Sequence, residues 1–186
     1  RRRGAVPEGG QCAAEALALL RAMRSEFGLR PTAISYNTAM DAFGRARDVE
    51  GAAAVLREMN ENGVPPNDRT YSIMMMACAR EGRVDAAFEL LERMKREASS
   101  RRMKPPNAVH YTTLIDACGR AGQLGRAFST FEEMRVPRDR GGAGLRPNVI
   151  TWTALIDACV KTAAALGRKE KAMGVGSGSG AGSGGG

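Results

Sequence analysis

Apolar residues along this chain recur at helical spacing, and the pattern repeats. Segments beginning near residues 33, 68, 108 and 149 each carry an aromatic residue followed by short side chains: Tyr36-Asn37-Thr38, Tyr71-Ser72-Ile73, Tyr111-Thr112-Thr113 and Trp152-Thr153-Ala154. The aromatic residues lie 35, 40 and 41 residues apart. Each leads into an apolar stretch that predicts a helix: Ala39 to Ala46, Met74 to Arg80, Leu114 to Arg120 and Leu155 to Lys161. In the first three units a second pattern follows, carrying Ala52, Ala87 and Ala127, then Leu56, Leu91 and Phe131, then Met59, Met94 and Met134. Offsets of four and three place these on one face of a second helix. Gly63, Gly82 and Gly122, with the pairs Pro65-Pro66 and Pro105-Pro106, mark helix ends and turns.

Each unit therefore reads as a helical hairpin, which cannot bury its apolar stripe alone. Stacked units share a continuous core, so the expected architecture is an α-solenoid. Ala16, Leu20 and Met23 repeat the second-helix offsets and add half a unit in front. The expected organisation is a basic, flexible segment at 1–10, a partial repeat at 11–32 and full repeats at 33–67, 68–107 and 108–148. A partial or degenerate repeat at 149–173 and a Gly/Ser-rich flexible tail at 174–186 complete it. Arg1 in place of an initiator Met reads as a piece of a longer chain. The second and third repeats gain their extra length around 98–104 and 136–145, where Arg101, Arg102, Arg138 and Arg140 lie and where Gly141, Gly142 and Gly144 suggest mobility.

Only 5% of the 186 residues are aromatic against 43% hydrophobic, so the core must be aliphatic. Lys and Arg number 28 against 20 Asp and Glu, a formal charge of +8 that favours a polyanionic partner, nucleic acid first. No apolar run approaches the ~18 residues of a membrane span, so no membrane partner is expected.

Cys78, Cys118 and Cys159 look at first like metal ligands, but they recur at 40 and 41 residues in a slot that Phe43 fills in the first unit. That is a packing position, and one per unit is too far apart to share an ion. Met74, Met75 and Met76 read as core and groove packing. His110 is the sole histidine, and the repeat frame puts no Ser or Cys beside it as a nucleophile. Glu89, Glu92, Glu132 and Glu133 read as solvated helix faces. No enzyme activity, metal or cofactor is expected.

A tetratricopeptide array has a similar period, but its first helix usually carries Gly where Met40, Met75, Ile115 and Ile156 stand, and its second a small residue at Met59, Met94 and Met134. The run from Ala108 through Tyr111-Thr112-Thr113-Leu114-Ile115-Asp116 to Gly119-Arg120 and Leu124 instead resembles the pentatricopeptide repeat of the P class. The resemblance covers about residues 11–165. It implies an all-α, right-handed α-solenoid of stacked helix-turn-helix repeats whose first helices line a concave face.

It further implies single-stranded RNA as partner, organellar mRNA or rRNA, with no small-molecule substrate and a location in chloroplast or mitochondrion. The residue after the aromatic would read one base with the last residue of its unit: Asn37 with Asn67, Ser72 with Asn107, and Thr112 with Asn148, while Thr153 begins a fourth pair. Asn, Ser or Thr at any one of these positions could instead simply cap a helix. Family rules give Asn with Asn a pyrimidine and Ser or Thr with Asn an adenine, the protein running parallel to the RNA from its 5′ end. Ile34, Arg69, Val109 and Ile150 would sandwich bases, and Arg45, Arg80, Arg120 and Lys161 would face phosphate. The alternative is a structural subunit of an organellar ribosome, contacting rRNA and ribosomal proteins without base readout.

Overall fold

The computed structural model describes residues 9–100 and 103–174. Arg1 to Arg3, Arg101, Arg102 and the tail from Val175 lie outside the described residues. Among the described residues eight α-helices follow one another: α1 (Gly9–Ser25), α2 (Ala33–Arg45), α3 (Val49–Glu61), α4 (Asp68–Glu81), α5 (Val84–Ser99), α6 (Ala108–Arg120), α7 (Leu124–Arg135) and α8 (Val149–Gly174). They pair as α2 with α3, α4 with α5 and α6 with α7, and successive first helices α2, α4, α6 and α8 stack on one another. This is the α-solenoid that the repeat pattern requires.

The unit-end asparagines start the first helices. Asn67 Oδ1 accepts from the backbone N–H of Thr70 at 3.0 Å while Thr70 Oγ1 accepts from the N–H of Asn67 at 3.0 Å. Asn148 and Thr151 repeat the exchange at 3.0 and 3.4 Å. Two of the orphan donors at each helix start are thereby satisfied reciprocally. The helices begin at Ala33, Asp68, Ala108 and Val149, several residues before the apolar runs that reveal them, so each aromatic residue lies inside the first turns.

Left-handed residues end them. Gly82 has φ 79°, and the N–H of Arg83 turns back to the carbonyl of Cys78 at 2.9 Å. In the first unit Arg47 takes the same role at φ 59°. The fourth unit has Thr162-Ala163-Ala164 at the corresponding place, with no glycine to turn, and α8 runs on unbroken to Gly174.

Tyr36, Tyr71 and Tyr111 are buried, as are Met40, Met75 and Ile115 below them, because the second helix of each unit covers that face. Among the described residues no such helix covers α8. Trp152, Ile156 and Val160 are therefore exposed, and Trp152 packs edge-to-face with Phe131, with ring centroids 4.7 Å apart. On the second helices Leu91 and Phe131 are buried as the pattern predicts, but in α3 the buried residue is Val55 and Leu56 is half-buried. Cys78 and Cys118 are buried in their repeated slot, and burial raises both thiols above their ordinary range.

First helices cross at small residues. A Cβ on Gly44 would stand 3.4 Å from the Cβ of Ala77, whereas one on Gly119 would stand 2.6 Å from the Cβ and 2.9 Å from the Cα of Ala158. Alanine adds helix propensity at either site, worth up to about 1 kcal/mol, so Gly44→Ala should leave stability unchanged or raise it. Gly119→Ala should lower it, because overpacking against a neighbour's backbone costs about 1 to 3 kcal/mol. Urea unfolding midpoints of both variants check this. A Gly119→Ala midpoint at or above the parent's would show that α6 and α8 separate freely.

The glycine-containing loop after α7 is folded rather than open. Backbone bonds run from Ala143 to Glu133, Gly144 to Val136 and Leu145 to Met134, each at 2.8 Å, and Arg138 Nε donates to the carbonyl of Ala143 at 3.0 Å. Gly142 is required there, since a Cβ would lie 2.1 Å from the Val136 carbonyl oxygen. Gly142 thus serves a close backbone approach, and Gly141 and Gly144 take left-handed turns at φ 85° and 64°, in a loop whose glycines the sequence alone reads as mobility.

Candidate nucleic-acid interface

Four residues per first helix, at intervals of three, four and four, face the same side. On α6 and α8 these are Val109, Thr112, Asp116 and Arg120, then Ile150, Thr153, Asp157 and Lys161. With Met76 and Arg80 of α4 and with Asn148, most of them line one open groove of about 660 Å³ between α4, α6 and α8. Val109 and Ile150 line it, and Ile34 and Arg69 hold the equivalent positions on α2 and α4; all four are exposed, one per unit, and offer apolar or guanidinium surface.

The three pairs named from sequence are each brought together, though not in one way. Asn37 Nδ2 donates directly to Asn67 Oδ1 at 3.2 Å, and Asn37 Oδ1 accepts from Thr70 Oγ1 at 2.8 Å. Thr112 Oγ1 meets Thr151 Oγ1 at 2.9 Å, and Thr151 donates on to Asn148 Oδ1 at 3.0 Å. Ser72 meets His110 Nε2 at 3.0 Å, and His110 Nδ1 accepts from the backbone N–H of Asn107 at 3.1 Å. The third helical residue of the next unit, Thr70, His110 or Thr151, therefore joins each pair, and all three are buried. Sequence reasoning missed them, although an asparagine followed three residues later by Thr or His is a legible capping signal. It is the unit-end asparagines that cap; Asn37, Ser72 and Thr112 lie inside their helices. Thr153 has no following unit among the described residues and donates back to the Val149 carbonyl at 2.8 Å.

Ser72, His110 and Asp68 correct the expectation that no nucleophile lies near the histidine. Their arrangement is nevertheless not that of a catalytic triad. There the imidazole accepts the serine proton at Nε2 while a carboxylate holds N–H at Nδ1. Here Nδ1 is an acceptor for the Asn107 N–H, so the ring hydrogen sits on Nε2 and donates to Ser72 Oγ, with Asp68 Oδ1 3.5 Å from the same nitrogen. Burial holds the imidazole below its ordinary pKa, with Asp68 opposing, and a ring with its hydrogen on Nε2 cannot take the serine proton.

The basic slot is not uniform. Arg45 pairs with Asp41 at 2.8 Å, Arg120 with Asp116 at 2.7 Å and Lys161 with Asp157, each carboxylate four residues earlier on the same helix. In the second unit that position is Met76. Arg80 reaches only the Met76 sulfur and the Gly44 carbonyl, both at 3.4 Å.

The PPR repeat family model matches residues 31–80 and 106–161, more than half of the chain, and a single PPR repeat model matches 69–98. The chain belongs to the pentatricopeptide repeat family. It is similar to pentatricopeptide repeat-containing protein At5g25630 of Arabidopsis thaliana, at 33% identity over 94 residues covering 49% of this chain and 16% of that protein. Chloroplastic pentatricopeptide repeat-containing protein 10 of Zea mays is 40% identical over 73 residues, covering 39% and 9%. The crystal structure of the pentatricopeptide repeat protein PPR10 in complex with an 18-nt psaJ RNA element superposes with a TM-score of 0.58 at 28% identity, covering 87% of this chain and 24% of that one. The chain thus spans less than a quarter of each.

Proposed function

We propose that this chain is a single-stranded RNA-binding pentatricopeptide segment that reads one base per unit along its concave groove and does no chemistry of its own. The observation that carries this reading is the recurrence, at unit intervals on α2, α4, α6 and α8, of an exposed flat or branched side chain, a short polar side chain and a cation on one face. Splayed bases stacking on Ile34, Arg69, Val109 and Ile150 would present their edges to Asn37, Ser72, Thr112 and Thr153. The RNA-bound form of the maize relative supports that reading, and relatives named chloroplastic or mitochondrial support an organellar setting, in transcript stabilisation, processing or translation.

Units one to three should favour 5′-pyrimidine-A-A-3′, followed by a purine opposite Thr153. Thr112→Asn should move the third preference from adenine toward pyrimidine by about 1 kcal/mol, because an amide presents a different donor and acceptor set. Selection from a randomised short RNA library checks this; equal enrichment of all four bases at the third position in both proteins would mean these slots do not read RNA. A second reading, a structural subunit contacting rRNA and proteins in an organellar ribosome with its reading slots idle, is favoured by Asn37. That side chain is only 7% exposed, and both ends of its amide are engaged within the protein.

A further inference from the structure

Each end of the described solenoid carries half of a unit. α8 is a first helix without a second: Trp152 and Ile156 stand where α3 covers Tyr36 and Met40, and Ile156 is 61% exposed whereas Met40, Met75 and Ile115 have no exposed surface. α1 is a second helix without a first. Ala16 and Met23 hold the places of the fully buried Ala52 and Met59 yet are only half-buried, and Leu19, in the place of Val55, is 69% exposed. The reading site is divided in the same way. Thr153 has no following unit to meet, while Thr32 and Ser35 start α2 with no preceding reader among the described residues. The Thr32 N–H donates to Ser35 Oγ at 3.3 Å, as the Asn148 N–H does to Thr151 Oγ1 at 3.4 Å.

We propose that copies of this chain associate head to tail, α1 of one covering α8 of another, so that Thr32 and Ser35 of the first complete the reading pair that Thr153 of the second begins. The two faces are the halves of one hairpin: an aromatic and branched stripe on α8, and the Ala, Leu and Met of a second helix on α1. Residues 1–8 and 175–186 hold no leucine, methionine or aromatic residue with which the chain could cover either face itself. Because the contact joins two different surfaces, it leaves one of each free at the ends and can add further copies. The association stands on packing alone, and the completed pair rests on the RNA-binding reading above. One contact limits its strength. Gly44 and Gly119 are the small residues through which a first helix meets Ala77 or Ala158 of the next. Val160 takes that place on α8 and would meet Ala42 of the second copy, so this junction is looser than those within the chain.

Sedimentation velocity of the chain without RNA, at graded concentrations, should show association that grows past the dimer. Trp152 is the only tryptophan, so its emission should shift to the blue over the same concentrations. Ile156→Asp and Leu19→Asp, both at exposed positions that the fold does not need, should each stay monomeric, because a charge would be buried in the junction. An equal mixture of the two should give a one-to-one dimer and nothing larger, since each variant keeps the face that the other has lost. Val160→Ala should tighten association about tenfold by relieving the overpacked crossing, whereas nonspecific sticking would weaken as apolar surface is removed. A parent that stays monomeric up to its solubility limit overturns the proposal, as does a dimer that Leu19→Asp leaves intact, which would be a symmetric pairing of two α8 faces. Unchanged or weaker association of Val160→Ala overturns the register that brings Thr32 and Ser35 to Thr153. On an RNA of two abutting pyrimidine-A-A-purine sites, Thr32→Asn should change the base preference at the fourth position in the parent and not beside Ile156→Asp. No change in either, with the RNA bound, overturns the completed pair; association without any RNA binding sinks the RNA reading and leaves the junction standing.

Discussion

Leu91→Ala should destabilise the solenoid by about 2 to 5 kcal/mol, the range for truncating a fully buried leucine into a cavity that its surroundings only partly fill. Leu91 lies in the middle unit with no exposed surface, in a cluster with Met75, Cys78 and Ala87 of its own unit and Tyr111, Leu114 and Met134 of the next. Because each unit of such an array is held by its neighbours, loss of one junction spreads to both sides. Hydrogen exchange should therefore show lost protection in α2 and α6 as well as in α4 and α5. Leu56→Ala, at the matching position of α3, should cost clearly less, because Val55 takes the buried place there and Leu56 is half-buried. Equal unfolding midpoints for Leu91→Ala and the parent would remove this residue from the stacked core; equal losses for both leucines would show that the difference in burial carries no energetic weight.

The leucine comparison also marks how far local sequence carries. The offsets of four and three define a helix face, but a face is about two residues wide, and which of Val55 and Leu56 turns inward depends on how α3 is rolled against α2. Helix ends were legible where a residue type is demanded, as at Gly82, where a left-handed turn is needed. At Arg47 the same conformation is taken by a residue that gives no signal, and the missing signal after Lys161 is matched by α8 running on. The candidate groove residues were legible because one per unit repeats in register. What joins them was not. Ser72 and His110 are 38 residues apart, and only the stacking of α4 on α6 brings their side chains to 3.0 Å. The carboxylates Asp41, Asp116 and Asp157, by contrast, stand four residues before their cations on the same helix, a spacing that the sequence itself carries.

Those carboxylates should govern how strongly salt weakens RNA binding. Four equivalent cations would each release about 0.7 counterion from a single strand, giving a slope of log K against log salt of about −3. Arg45, Arg120 and Lys161 are already compensated by aspartate, whereas Arg80, beside Met76, is not, so the groove of the parent should contribute closer to one contact, about −0.7. Exposed pairs of this kind contribute about 0 to 1 kcal/mol to folding, so the aspartates can be replaced without loss of the fold. Asp41→Asn, Asp116→Asn and Asp157→Asn combined should steepen the slope toward −3, and between 1 M and 0.1 M salt the variant should gain roughly two orders of magnitude more affinity than the parent. Arg80→Gln in the parent should flatten the slope, whereas Arg45→Gln should change it little. Nitrocellulose or fluorescence titrations across that salt range decide the matter. If the triple variant and the parent share one slope, the aspartates do not restrain the cations, and the four basic positions must be treated as equals.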